Sequence, residues 1–352
     1  MIYVLSAIVV LGILIIVHEF GHFWMARMMG VGVEKFSIGF GKALWTKKIG
    51  ETEYRLAWIP FGGYVKMVGD EEDEGDAGKD NAFNMKPVWR RAMIVSAGPV
   101  ANMIFAALVF SLVFMIGVNM PDTRIRHVLE DSPAESAGMT AGDRILEIND
   151  RAIKTWDDLA KIISESPGEA ITVKVEKADG LITQYTIVPD RKISKNIFGE
   201  EIAVGRIGIS PDDIFIRYNP VKAVYLGLQK TVEFTYLTGL VIVKIFQRVV
   251  PADTIGGPLM IFKIAGDQAE AGLIPFLMFM GLLSVNLGLL NFLPIPILDG
   301  GHLAFFMVEA IMGKPVSVKG MEIAQKVGMF LIMALMAFAF YNDITRFIKG
   351  DG

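Results

Sequence analysis

The sequence predicts a polytopic α-helical membrane protein with four transmembrane helices, a β-hairpin sheet between the first two, and an α+β domain between the second and third. Three observations predict it. Of the 352 residues, 53% are hydrophobic and the mean hydropathy is +0.46, too apolar for a surface facing water. Four stretches reach the roughly 17 to 25 apolar residues needed to cross hydrocarbon. Residues 121–213, by contrast, have the mixed composition of a soluble domain.

The elements follow in order. Residues 1–26 hold the first span, Ile2 to Met25. Met1 to Val17 carries no charge, whereas a cleavable signal peptide has a basic start and a small-residue cleavage site, so a retained helix is expected. Residues 27–92 form a loop in which Val33 to Trp45 and Glu53 to Met67 are strand-like, punctuated by Gly39, Gly41, Gly62 and Gly63. The acidic stretch Asp70 to Asp80 reads as a solvated flexible loop. The second span, 93–118, follows the basic group Lys86, Arg90 and Arg91. In 121–213, Ile171 to Glu176 and Tyr185 to Val188 alternate as strands do. Within residues 219–250, Val232 to Val250 segregates apolar from polar and charged side chains (Glu233, Lys244, Gln247, Arg248) at helical spacing, so an interfacial amphipathic helix is expected there. The third span is 273–303, with a proline-broken end, and the fourth is 320–346.

Lys and Arg concentrate in Arg27 to Arg91 and in Lys314 to Lys326. Both loops are therefore expected in the cytoplasm, with both termini and 121–213 outside. The hairpin sheet is then on the cytoplasmic side. A net charge of −4 argues against a nucleic-acid partner. With no cysteine, disulfides, thiolate ligands and thiol catalysis are excluded.

His18-Glu19-Phe20-Gly21-His22 carries the chemistry. On a helix, His18 and His22 stand one turn apart on one face and reach a single zinc ion. Glu19, about 100° round, can act as general base toward the attacking water. Three ionisable residues in one turn of a span are costly unless a partner or cavity receives them. Catalytic zinc needs a third protein ligand and an open position. Asp299 is the strongest candidate, because Pro294 and Pro296 break the helix before it, and irregular backbone at membrane depth is tolerated only in protein or a wet cavity. Glu309, Asp267 and Glu270 are weaker rivals, and His302 is read as a neighbour of the metal rather than a fourth ligand. With an inward-running first and third span, His18, His22 and Asp299 share one depth. An inactive scaffold sits badly with an intact Glu19, and a zinc transporter lacks ligands along a path.

These residues resemble the site-2 protease family of intramembrane metalloproteases. The resemblance runs through the His-Glu-x-x-His, Phe36 to Trp45, Pro60 to Met67, Ala97 to Asn102 and Ser284 to His302. It implies one catalytic Zn2+ held by His18, His22 and Asp299, with Glu19 as base. It also implies that the hairpin sheet is membrane-associated, with substrate contacts at Asn291 and along the sheet edge at Gly39, Phe40 and Gly41. Asn102 and Asn286 either line the cavity or bridge helices. The substrates implied are single-span membrane proteins, such as an anti-sigma factor, already cut once outside the cytoplasm. The run Ser132 to Asn149, with Gly138, Gly142 and Asp143 in a Gly-x-x-x-Gly-Asp pattern, resembles a bacterial PDZ domain, with Trp156 to Ser164 as its second helix. Such a domain binds peptide or protein C-termini, or serves only as a spacer and size filter. Many family members carry two in tandem; this chain has room for one.

Overall fold

A computed structural model describes residues 1–69, 80–196 and 199–349. The stretch read from sequence as an acidic flexible loop lies outside them, Asp80 excepted. In chain order the elements are α1 (Ile2–Met28), β1 (Val33–Ile49), β2 (Thr52–Met67), α2 (Val88–Ile116), β3 (Val118–Val128), α3 (Pro133–Ser136), β4 (Arg144–Ile148), β5 (Arg151–Ala152) and α4 (Trp156–Ser164). Then come β6 (Ile171–Glu176), β7 (Ile182–Ile187), β8 (Asp190–Lys195), β9 (Glu201–Arg206), β10 (Ile209–Ile216), α5 (Pro220–Phe246), α6 (Pro258–Ala271), α7 (Leu273–Asn291), α8 (Asp299–Met312) and α9 (Val318–Lys349). The chain divides into two units: 1–115, 219–243 and 251–352 form one, and 116–218 with 244–250 the other.

Four helices of the first unit, α1, α2, α7 and α9, are long and apolar enough to cross a membrane. Their outward side chains, among them Ile16, Phe20, Trp24, Leu108, Phe330 and Met333, are exposed. Apolar faces of this extent suit hydrocarbon rather than water. α5 is as long as α1 but is not among the four. Inside the unit, small residues set the helix spacing: a Cβ on Gly21 of α1 would overlap the Ala97 carbonyl of α2, and one on Gly266 of α6 would overlap the Tyr3 ring. The sequence pattern marks no separate helix at 258–271. α6 has a polar stretch around Asp267 and is too short to span, so a search for apolar runs passes over it.

β1 and β2 form one antiparallel hairpin, turning between Ile49 and Thr52 and closing at Val33 and Met67. The hairpin folds back on itself. Phe36 is flanked by Val65 on one side and by Tyr54 on the other. The glycines make this possible: Gly39, Gly41 and Gly62 all have positive φ, and Gly39 packs directly on the Ile59 carbonyl.

α7 ends at Asn291. Pro294 and Pro296 follow, and the chain re-enters a helix at Asp299, the first residue of α8. Gly300 and Gly301 are buried against the carbonyls of Phe292, Leu293 and Ile295, where a Cβ has no room.

The second unit has its own core, built on Ile125, Ile145, Ile148, Leu159, Ile171, Val173, Val175 and Ile187. Its main sheet runs β10-β3-β4-β6-β7, with β5 paired to β4; β8 and β9 form a separate ladder. Ser132 caps α3, and Thr155 with Asp158 makes a capping box on α4. Asp143, fully buried, accepts from the Thr140 amide and from Lys177 Nζ at 2.9 Å. That buried carboxylate and the positive φ of Gly138 and Gly142 are what the Gly-x-x-x-Gly-Asp pattern encodes.

Candidate metal centre and active site

One turn of α1 and the first residue of α8 meet. His18 Nε2 lies 3.2 Å from His22 Nε2 and 3.1 Å from Asp299 Oδ2, and His22 Nε2 lies 3.5 Å from the same oxygen. The three residues are the one such cluster of possible metal ligands among the described residues. The two rings stand edge to face. Asp299 Oδ2 is buried and no hydrogen bond satisfies it. Three atoms able to donate a lone pair therefore converge within 3.5 Å of one another, an arrangement that suits a cation. The spacing fits as well: a tetrahedral zinc with ligands at roughly 2.0–2.2 Å holds them about 3.3 to 3.6 Å apart. The donor set, two imidazoles and a carboxylate with a fourth side left open, is that of catalytic rather than structural zinc.

α2 shapes the back of this site. His22 Nδ1 lies 2.9 Å from the Ile94 carbonyl, and His18 Nδ1 lies 3.3 Å from Asn102 Nδ2. A Cβ on Gly98 would overlap the His22 ring and crowd Cε1 of His18. Gly98 thus lets α2 press against both imidazoles. Its position in Ala97-Gly-Pro99 was visible in the sequence, but nothing in one chain's pattern ties it to a particular side chain.

The open side gives onto a cavity of about 260 Å³ that holds His18, Glu19, His22, Asp299 and His302. Its other wall is the end of β2: Gly63, Tyr64, Val65 and Met67, with Phe83 and Val95 completing it. Gly63 stands against Glu19, where a Cβ would come within 3.0 Å of Glu19 Cγ.

Other expected site residues fall elsewhere. Gly39, Phe40 and Gly41 do not line this cavity; Phe40 reaches toward it only by stacking on Tyr64 at 6.3 Å between ring centres. Asn291 closes α7, half-buried, outside the lining. Asn102 is fully buried behind His18, its backbone carbonyl accepting from Ser284 Oγ. Asn286 accepts from Thr238 Oγ1 at 2.8 Å and so bridges α7 to α5. The rival ligands have partners of their own: Glu309 accepts from Arg91 at 2.6 Å, and Asp267 accepts from Tyr3.

Two histidines one turn apart, a carboxylate from a broken helix and a glutamate facing the same cavity, on helices fit for a bilayer, define a membrane-embedded metallopeptidase. Residues 6–335 match the model of peptidase family M50, and the chain belongs to that family, the site-2 protease type of zinc metalloprotease. It is similar to the regulator of sigma-E protease RseP of Escherichia coli, at 34% identity over 97% of this chain and 98% of the relative. It is also similar to a zinc metalloprotease of Agrobacterium fabrum, at 37% identity over 98% of this chain and 96% of the relative. The alignment with the E. coli protein is 448 positions long, and that with the Agrobacterium protein 370, so the first relative carries a long insertion that this chain lacks. Among solved structures, the PDZ domain of an SdrC-like protein from Listeria monocytogenes aligns with 27% of this chain and 90% of its own, at 23% identity and a TM-score of 0.21.

Proposed function

We propose that this chain hydrolyses peptide bonds of single-span membrane proteins at one catalytic zinc held by His18, His22 and Asp299, with Glu19 as general base. The observation that carries the reading is the 3.1–3.5 Å triangle of His18 Nε2, His22 Nε2 and Asp299 Oδ2 on the wall that also bears Glu19. A bound zinc would supply Lewis-acid polarisation of the scissile carbonyl and a lower pKa for the attacking water. Glu19 takes that water's proton and returns it to the leaving amine.

A helical substrate hides its peptide bonds in its own hydrogen bonds and must unwind before hydrolysis. The Gly63 to Met67 arm pairs with β1 on one edge only among the described residues, and Gly63, Tyr64, Val65 and Met67 line the cavity. An extended substrate segment adds to the other edge and recovers its backbone partners. Tyr64, stacked on Phe40, brings the Gly39 to Gly41 corner into the same support, and Asn291 closes the helix that leads to Asp299.

The Lys and Arg distribution supports a reading in which loops 27–92 and 314–326 lie on the cytoplasmic side of a bacterial inner membrane, with both termini and the PDZ domain outside. The second unit is read as one PDZ domain. A cavity of about 390 Å³ between α4 and the stretch Val204 to Ile209 suits the C-terminus of a peptide or protein. The substrate is then an anti-sigma factor or similar protein shortened by an earlier cut outside, and the relative's name, regulator of sigma-E protease, supports that direction.

The test is cleavage of a tagged single-span substrate in membranes carrying wild type or Glu19→Gln. Wild type is expected to yield product and Glu19→Gln to lower the rate by about 100-fold or more. Equal product from both would refute the reading.

A further inference from the structure

Asn102 is 0% exposed and sits in the middle of α2, directly behind His18. Its position is tightly set. Its backbone carbonyl accepts from the buried Ser284 Oγ at 2.8 Å, and a Cβ on Gly288 would touch Asn102 Cβ at 3.4 Å, so α7 holds α2 at close range here. Its amide has one neighbour, His18 Nδ1 at 3.3 Å from Nδ2, while Oδ1 at the other end is buried without a partner.

The two nitrogens constrain each other. His18 can offer its Nε2 lone pair to a metal only as the neutral tautomer with the proton on Nδ1. Nδ1–H then faces Asn102, and an amide NH2 there would set donor against donor. A half-turn of the amide replaces that clash with Nδ1–H···Oδ1. The turn exchanges the Nδ2 contact for Nδ1–H···Oδ1 and costs no second hydrogen bond, because Oδ1 has none to lose. His22 already has the matching arrangement, with Nδ1 2.9 Å from the Ile94 carbonyl.

We infer that Asn102 is a positioning residue: its side-chain oxygen accepts from His18 Nδ1–H and fixes the tautomer that presents Nε2 to the metal. The inference rests on the zinc reading given above. α2 then supplies the outer acceptor for both imidazoles, a side-chain amide for His18 and a main-chain carbonyl for His22. The pair of acceptors lies within two and a half turns of one helix, with Gly98 between them making room for both rings.

The role separates from packing by acceptor chemistry. Asn102→Asp keeps the shape and has only acceptors; Asn102→Leu keeps the volume and has none. The measurement is zinc affinity of the purified full-length chain by competition with a chromogenic chelator, alongside thermal unfolding of the zinc-free form. Asn102→Leu is expected to weaken zinc binding by about 10- to 100-fold, as loss of an outer-shell partner does, while Asn102→Asp stays within about threefold of wild type. Nitrogen-15 NMR of the zinc-loaded wild type is expected to show the His18 proton on Nδ1. Equal loss of affinity in Asn102→Asp and Asn102→Leu would overturn the acceptor role, as would a proton on Nε2. A wild type that holds no zinc would instead overturn the metal reading itself, and the inference with it.

Discussion

Asp299 Oδ2 faces His18 Nε2 across 3.1 Å, although the aspartate opens α8 and the histidine lies deep in α1. Helix α8 starts there because Pro294 and Pro296 end α7, so the carboxylate is delivered by a break rather than by a helix face. On the proposed reading, Asp299→Ala removes one of three ligands and leaves the other two in place. Zinc affinity is expected to fall by more than about 100-fold, beyond the range for outer-shell losses, as read by metal analysis after dialysis.

Gly98 has no room for a side chain between α2 and the imidazoles. Gly98→Ala forces the His22 ring or the α2 backbone to move. Overpacking of this kind costs about 1–3 kcal/mol, and it falls on the ligands themselves. Lower thermal stability in detergent together with weaker zinc binding is expected. Unchanged zinc affinity would show that α2 does not back the site.

Arg91 and Glu309 tie the start of α2 to α8, the helix that begins with Asp299. The pair is 13% and 14% exposed, meets at 2.6 Å, and the guanidinium also lies 4.9 Å from the centre of the Phe306 ring. Arg91→Met strands a largely buried carboxylate and is expected to destabilise the chain by about 2–3 kcal/mol, between the values for exposed and fully buried pairs. Arg91→Met with Glu309→Met removes both charges and should recover most of that loss in thermal unfolding. A double variant no better than the single one would contradict the pairing.

In the second unit, the Thr155 hydroxyl donates to Asp158 and holds its carboxyl below the usual carboxylate range. A depressed folded-state pKa adds stability above the unfolded value, near pH 3.9, and that stability is lost as pH falls through the folded value. Thr155→Ala is expected to speed amide exchange at the start of α4 roughly fivefold at neutral pH. The difference from wild type should shrink below about pH 4.

Much of this was legible in the chain. His18, Glu19 and His22 are fixed by helical geometry alone, since four residues make about one turn. Asp299 is singled out by the prolines beside it, and in the structure it stands against His18 and His22. α4 matches the predicted helix because its cap and its amphipathic spacing are both local signals. What the sequence did not disclose depends on contacts across the fold. Gly63 to Met67, not Gly39 to Gly41, reaches the cavity, because the hairpin doubles back and glycine spacing does not say which arm turns inward. Gly98 and the Arg91–Glu309 pair join segments far apart in the chain. α8 follows a loop whose exit angle is set by Gly300 and Gly301 packing on carbonyls, which no periodicity reveals.

The most direct measurement is zinc-edge X-ray absorption on the purified chain and on Asp299→Ala. One zinc per wild-type chain is expected, with two imidazole nitrogens and carboxylate oxygen at roughly 2.0–2.2 Å, and little retained metal in the variant. A wild type without zinc, or a variant holding the same zinc in the same shell, would contradict the proposed zinc site.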